Sequence, residues 1–474
     1  MHTPTESGHL SNGQDESSKK LNTTPDLLNG PVASIFVRMS MPIILGLLVN
    51  GLFNFVDAIF ISRAVGTQAI GGVSAAFPVH MMMISISAML GSGMASILSR
   101  RLGAGLDAQA NQVFSASMVL AGLVGLLVAL VVVTFRYEIF TLTHLPTDLV
   151  PYAVEYITPI ALFSVVSFLY GSLSEAFRAE GQNMQVMKLM AVSALLNIVL
   201  DALFLFVFQW GVAGAAWATV MAISVSFSYA LVMLYGQKHR IKFEWEHFRF
   251  IKQVHKEALL LGIPVFLSYT GFAMMLLTVN IALVRVGGSD AQLLISAHGI
   301  LNRTFMLIFL PVLGMMIAFQ TFAGFNYGAQ QYKRVAEVLK VALIFSSVYA
   351  LFWSVVMIFK SHWLLQLFTS DQLLINAAVD ISSIVFLCFI TVGIGMICPA
   401  LFQALGYAKP ATILNSLHTY FLLIPLLWVC SGLYGLAGVW WAFPAVDLLS
   451  AIIIGFYTWR FIRRFSQGDA SSFQ

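Results

Sequence analysis

Apolar residues run through the chain in twelve long stretches, each bounded by charged residues or by glycine, proline and other turn formers. The pattern predicts twelve helices, at about 35–61, 72–98, 111–135, 149–172, 187–208, 212–236, 258–284, 293–324, 338–359, 375–401, 411–431 and 436–459. At 1.5 Å per residue, each is long enough to cross a hydrocarbon layer about 30 Å thick. Barrel strands alternate apolar and polar positions over about ten residues, so these unbroken runs exclude a porin-like barrel. The predicted fold class is an all-α polytopic membrane protein with twelve transmembrane helices in two pseudo-symmetric six-helix bundles.

Polar stretches divide the chain. Residues 1–34 are rich in Ser, Thr, Asn and Asp and read as a disordered cytoplasmic tail. An N-lobe at 35–237 and a C-lobe at 258–464 flank a charged linker at 238–257, and 465–474 forms a second tail. The halves look like copies. Phe177-Arg-Ala-Glu-Gly181 returns as Phe402-Gln-Ala-Leu-Gly406, Trp210-Gly-Val-Ala-Gly214 as Tyr434-Gly-Leu-Ala-Gly438, and Pro42 as Pro264, with all offsets between 222 and 225 residues. Each half has an even number of spans, so the copies share one orientation, as in transporters that rock two bundles around a central site.

With the N-terminus inside, twenty basic residues fall on the inner side. Arg63, Arg136, Arg285, Arg303 and Lys360 fall outside. Basic residues resist translocation, so both termini are expected in the cytoplasm. Composition agrees with a membrane chain: 474 residues, 59% hydrophobic and 10% charged, with mean hydropathy +0.86. Soluble domains run near ~45–50% and ~25%. A formal charge of +4 supports no nucleic-acid reading. The three cysteines, Cys388, Cys398 and Cys430, sit within apolar runs and read as small buried hydrophobes. No phosphate-binding loop, HExxH or GxSxG motif is present, and the chain does not read as an enzyme.

An ionisable group inside a span costs about 2.5 to 3.5 kcal/mol on insertion scales, so each one calls for a reason. Gly46, Asn50, Asn54 and Asp57 share one face of the first helix, and Ser193, Asn197 and Asp201 share one face of the fifth. Gly211, Ala215 and Thr219 form a small-residue stripe on the sixth. Counted from the nearest helix ends, Asp57, Asp201 and Thr219 all lie roughly 9 to 14 Å deep, so the three stripes can meet in one cluster. Two carboxylates in a low-dielectric site cannot both carry free charge, so one holds a proton or a cation binds. The oxygens of Asp57, Asn197, Asp201 and Thr219 suit a proton or Na+, not zinc or copper. No organic cofactor is expected. The repeat partners are Val279, Pro425 and Phe443, so the C-half lacks the polar set.

Asp447 either pairs with a polar group of a neighbouring helix or lines a central cavity. With Asn50, Asn54, Met274 and Met275 it completes the candidate substrate cavity, because thioethers adapt to varied apolar cations. His80, His298 and His418 read as packing residues, and Asp380 as a wet interfacial group.

These segments resemble the multidrug and toxin extrusion (MATE) transporters over nearly all of the chain from Pro42 to about Arg464. The resemblance rests on Pro42 through Asn54-Phe-Val-Asp57-Ala-Ile-Phe-Ile61, Leu90-Gly91 through Gly105, Arg178-Ala-Glu-Gly181-Gln, Asn197-Ile-Val-Leu-Asp201, Ala297-His298 and Gln403-Ala-Leu-Gly406-Tyr. It implies two six-helix lobes forming a V and antiport of small amphipathic cationic drugs against H+ or Na+. It also implies a cation site at Asp57, Asn197, Asp201 and Thr219, with Ala215 beside it, in a monomer of the bacterial inner membrane. One branch of the family adds C-lobe acids where this chain has Phe272 and Ile394, so the chain is more similar to the DinF-type branch. A related class flips lipid-linked sugars and would carry basic groups in its cleft, whereas a membrane receptor would carry a sensor domain.

Overall fold

The computed structural model describes residues 27–142, 145–236 and 239–465, except for the side chains of 54, 55, 58, 62, 67, 68 and 465. The spans, numbered in chain order, are span 1 Val32–Ala64, span 2 Thr67–Gly103 and span 3 Asp107–Thr134. Span 4 is Val150–Leu162 with Ser164–Ala179. Span 5 is Asn183–Ala202 with a π-helical end Leu203–Val207, and span 6 is Gly211–Gly236. Span 7 is Lys252–Val286, span 8 Ala291–Gly328 and span 9 Tyr332–Phe359, and span 10 joins Gln372–Val385 to Val392–Ala404. Span 11 starts as Ala408–Ser416 and continues through the π-helical Leu417–Leu423 to residue 434, and span 12 covers 436–465. Among the described residues, nine elements are long and apolar enough to cross a membrane singly and two more are bent pairs. The last of the nine turns back at Gly435 (φ 59°), which brings the spans to twelve. The observed helices overrun the predicted ones mostly by a few residues, because they continue past the apolar runs into polar surroundings.

The duplication is visible in the backbone. Gly211 (φ 62°) and Gly435 (φ 59°) stand at the starts of spans 6 and 12 with positive φ, which glycine adopts without strain. Span 4 bends by 57° at Phe163 and span 10 by 55° around Phe386–Phe389, at matching repeat positions. Ser354 donates to the Phe386 carbonyl at 2.6 Å, so the broken ladder finds a partner inside the bundle.

One end of the bundle carries the N-terminal segment and the linker, and is called the basic end. There a single hydrophobic cluster draws on both halves, from Phe36, Leu98 and Phe177 to Phe319, Phe402 and Phe461. Toward the far end the core splits in two. One part, around Ile157, Phe168 and Ala215, belongs to the N-lobe, and the other, around Val279, Leu301 and Trp440, to the C-lobe. The lobes are therefore closed together at the basic end and separately packed at the far end.

Reciprocal glycines make the closure possible. A Cβ on Gly93 of span 2 would overlap the Ala258 carbonyl of span 7, and one on Gly262 would overlap the Met89 carbonyl. Gly103 and Gly328 repeat the arrangement against Phe325 and Arg100. Small residues admit such backbone approach, where lipid chains give no hydrophobic drive for one helix to prefer another. Polar ties add to it: Ser96 Oγ donates to Gln403 O at 2.5 Å, and Arg100 pairs with Glu257 at 2.9 Å.

Two boundaries differ from the sequence expectation. Residues 1–26 and 466–474 lie outside the described residues, but 27–34, expected to end a disordered tail, are ordered. Leu27 is buried beside Gly181, its carbonyl accepts from Asn326 Nδ2 (3.3 Å), and Gly30 O accepts from Arg334 Nη2 (2.6 Å). These partners lie in the opposite half of the chain, so local composition carried no sign of them. The linker is strapped to the N-lobe: the Glu180 carboxylate accepts from the backbone N–H groups of Arg240 and Ile241 and meets His239 Nδ1 at 2.6 Å. Arg240 bonds Asp107 (2.6 Å), and Asn111 Nδ2 donates to Glu244 (2.7 Å). The Asn111 amide, and after it His247, hold the Glu244 carboxyl below its ordinary range. Span 7 begins within the expected linker, at Lys252 rather than after 257.

Gly93→Leu is predicted to force the basic end open. The readout is the thiol of Ser99→Cys, a position 1% exposed in the closed interface. Its maleimide labelling rate should rise at least about tenfold, corresponding to a shift of about 1.4 kcal/mol in the opening equilibrium. An unchanged rate would contradict the closure described.

Candidate functional site

Span 5 carries Asn197 and Asp201 one turn apart, so both face span 6. Just beyond Asp201 the helix widens into π geometry over Leu203–Val207, and the chain reverses through Gln209 and Gly211, both with positive φ. Phe204 stacks on Trp210 at 4.6 Å and fills the space left by Gly214, which fixes the two helices against each other. Gly214, Ala215 and Ala218 leave span 6 narrow enough for that contact.

Asn197 is 2% and Asp201 0% exposed, so neither reaches water. With its amide oriented to meet complementary partners, Asn197 donates to Asp201 Oδ2 at 2.9 Å and accepts from the Thr219 N–H at 3.0 Å. Thr219 Oγ1 lies 3.2 Å from the Asn197 amide and donates to Ala215 O at 3.1 Å. Asn197, Asp201, Thr219 and Ala215 thus form one hydrogen-bonded unit. Asp57 of span 1 joins it electrostatically, since its charge acts on Asp201 and both aspartates act on the Tyr156 phenol. Among the described residues, Oδ1 of Asp57 and Oδ1 of Asp201 are buried without a hydrogen-bond partner. A buried oxygen left in that state is costly, and a proton or a hard cation would satisfy it. The remaining donors around it are amide and hydroxyl oxygens, which suit Na+ equally.

The other expected residues are more dispersed. Asn50 is exposed on span 1, and the side chain of Asn54 lies outside the described residues. Met274 is 45% exposed, whereas its neighbour Met275 packs against the C-lobe core, so the two do not act as a pair. Asp447 is in the other lobe, where it pairs with His418 of the neighbouring span 11 at 2.8 Å from Nε2. His418 is therefore a bonded polar residue, not a packing histidine. The repeat partners of the N-lobe set are apolar: Val279 is fully buried, Phe443 lies against the C-lobe core and Pro425 is exposed.

Two further features escaped the sequence reading. Tyr156 of span 4 is buried beside both aspartates, and His80 of span 2 stands edge-on to its ring at 6.3 Å. Arg178 pairs with Glu175 on span 4, and both charges act on Tyr269 of span 7, across the cleft between the lobes. The i, i+3 spacing of Glu175 and Arg178 was a readable signal. Tyr156 had none, because a tyrosine in an aromatic-rich span looks like packing.

Among the described residues no cluster of three or more His, Cys, Asp or Glu groups stands ready for a metal ion. The cluster reads as a carboxylate pair with neutral oxygen support. Asn197→Ala should lower the melting temperature in detergent, because it strands the buried Asp201 carboxylate at about 1 to 3 kcal/mol. Asp201→Asn should leave that temperature unchanged or raise it, since a neutral amide is cheaper to bury. The reverse ranking would contradict the assignment of Asn197 as the carboxylate's support.

The MatE family model matches residues 42–203 and 264–429, once in each half. The multidrug export protein MepA of Staphylococcus haemolyticus is 24% identical over 442 residues, 93% of this chain and 96% of that protein. The probable multidrug resistance protein YoeA of Bacillus subtilis is 25% identical over 438 residues, covering 90% and 94%. Among solved structures, the MATE multidrug transporter DinF-BH superposes with TM-score 0.83 at 33% identity, over 90% of this chain and 95% of that one. The outward-facing conformation of a MATE family transporter of the MOP superfamily gives TM-score 0.87 at 23% identity, over 95% and 100%. With a family match in both halves and the same fold over nearly its whole length, the chain belongs to the MatE family of multidrug and toxin extrusion transporters.

Proposed function

We propose that the protein is a cation-coupled multidrug efflux antiporter that exports small amphipathic organic cations in exchange for H+ or Na+. The observation that carries this is the pair of unpartnered buried oxygens on Asp57 and Asp201, backed by Asn197 and Thr219. The similarity to MepA, YoeA and DinF-BH supports the multidrug part of the reading. A flippase of lipid-linked sugars would need cationic groups where the N-lobe has two carboxylates.

In this mechanism the lobes parted at the far end form the state open to the exterior, with both termini in the cytoplasm of a bacterial cell and the monomer as the working unit. An ion entering from outside meets Asp57 first and the fully buried Asp201 next. Its entry gains about 2.3 kcal/mol per 100 mV of membrane potential for each charge that crosses the whole field. Neutralising the carboxylates removes the attraction for an organic cation and releases it. Coupling requires that ion and drug favour different lobe arrangements, since a ligand that binds both equally shifts neither.

The decisive assay is efflux of ethidium from proteoliposomes with pH and sodium gradients imposed separately. One of the gradients should drive export, and Asp57→Asn and Asp201→Asn should each reduce it by at least about tenfold, or about 1.4 kcal/mol of coupling, with insertion unchanged. Full efflux in both variants would refute the site.

A further inference from the structure

His418 and Asp447 are the ionisable pair that the N-lobe site leaves unused. His418 Nε2 stands 2.8 Å from Asp447 Oδ1, joining span 11 to span 12. Those spans are the repeat partners of spans 5 and 6, which Asn197 and Thr219 join in the N-lobe. At the repeat offset of about 224 residues, His418 corresponds to Ala194 and Asp447 to Ile223. Relative to Asn197 and Thr219, both are displaced by about one helical turn toward the basic end. Each lobe thus bridges its fifth and sixth spans with polar side chains, using different residues at different depths.

The surrounding backbone is built around the C-lobe pair. Span 11 adopts π geometry over Leu417–Leu423, which includes His418. Span 10 unwinds between Phe386 and Thr391, and Thr391 Oγ1 bonds both the Cys388 carbonyl (2.8 Å) and the Asp447 carbonyl (3.3 Å). Ser450 Oγ also reaches Asp447 O, at 3.1 Å. Such π segments and broken helices at membrane depth concentrate at functional sites, where irregular backbone lines a polar interior. The side chains of His418 and Asp447 are 34% and 24% exposed, so they are not sealed off as Asp201 is.

We propose that His418 and Asp447 form a proton-binding site in the C-lobe, separate from the aspartate cluster, which takes up one of the protons exchanged for the exported cation. The inference rests on the antiport reading above and narrows it, since an imidazole binds H+ readily and Na+ poorly. A proton from solvent adds to the neutral imidazole, and the pair passes from net charge −1 to an imidazolium–carboxylate pair of net charge 0. The other titratable groups nearby are Cys388, at the break in span 10, and Tyr420 of span 11. The Tyr420 hydroxyl is engaged by Thr270 and the Leu267 carbonyl of span 7. Among the described residues no lysine or arginine is paired with Asp447, so the imidazole is its charge partner.

Two readouts test the proposal. In nanodiscs, nitrogen NMR of the histidine-labelled protein, with His418→Gln to assign the signal, should show the His418 imidazole passing from neutral to imidazolium as the pH is lowered. Asp447→Asn should move that midpoint to lower pH, because it removes the carboxylate that favours imidazolium. In proteoliposomes, His418→Gln should lower the number of protons exchanged per ethidium by one. An imidazole that keeps one protonation state, or an unchanged stoichiometry in His418→Gln, overturns this proposal alone. Absence of pH-driven efflux in the unmodified protein would overturn it together with proton antiport, while leaving sodium coupling at the N-lobe aspartates standing.

Discussion

Keeping carboxylates inside an apolar helical bundle is the constraint on which the rest of this structure depends. Asp201 is wholly buried, and one of its oxygens is held by a neutral amide while the other is unmatched. A free charge in such a place is unfavourable by several kcal/mol, and a second carboxylate nearby raises the cost. The fold supports this load with local devices. The π-helical end of span 5, the small residues of span 6 and the Phe204–Trp210 stack hold the carboxylate and its amide in register. A small cation would relieve a site tensioned in this way.

The lobe arrangement supplies the other half of a transport cycle. Backbone contact at Gly93, Gly262, Gly103 and Gly328 is possible only where the helices lack side chains, so the closed end is a specific interface. A packed interface of this kind is bistable: it is either seated or separated. Leu27 and Gly30, bonded to Asn326 and Arg334, add the N-terminal segment to the closed face, while the linker stays with the N-lobe through Glu180. The N-terminal segment, which runs into span 1, therefore ties the two lobes together at the closed end.

Much of this was legible in the sequence, and the reasons are physical. Apolar runs of about 20 residues or longer mark spans because the bilayer sets their length, and a 222–225 residue offset recurring in unrelated motifs exposes the duplication. Asn197, Asp201 and Thr219 could be grouped because helical spacing and depth are computable from position alone. The breaks at Phe163 and Phe386 could not be found that way, since they fall at phenylalanines inside continuous apolar runs. Nor could the His418–Asp447 pair, whose members are 29 residues apart and whose repeat partners are apolar. The order of residues 27–34 was hidden because it comes from contacts some 300 residues away. In each case a long-range partner decides the outcome, and composition records only local preference.

Antiport through the N-lobe requires that the carboxylates of Asp57 and Asp201 change their charge or ligation when an organic cation binds. Infrared difference spectroscopy of the reconstituted protein, recorded on addition of ethidium, observes this directly through the carboxyl stretching bands. In the unmodified protein a protonated-carboxyl band should be lost, or a cation-bound carboxylate band displaced, and the N-lobe part of this signal should disappear in the Asp57→Asn, Asp201→Asn double variant. A spectrum with no carboxyl change on dye binding, or one identical in the double variant, would contradict it.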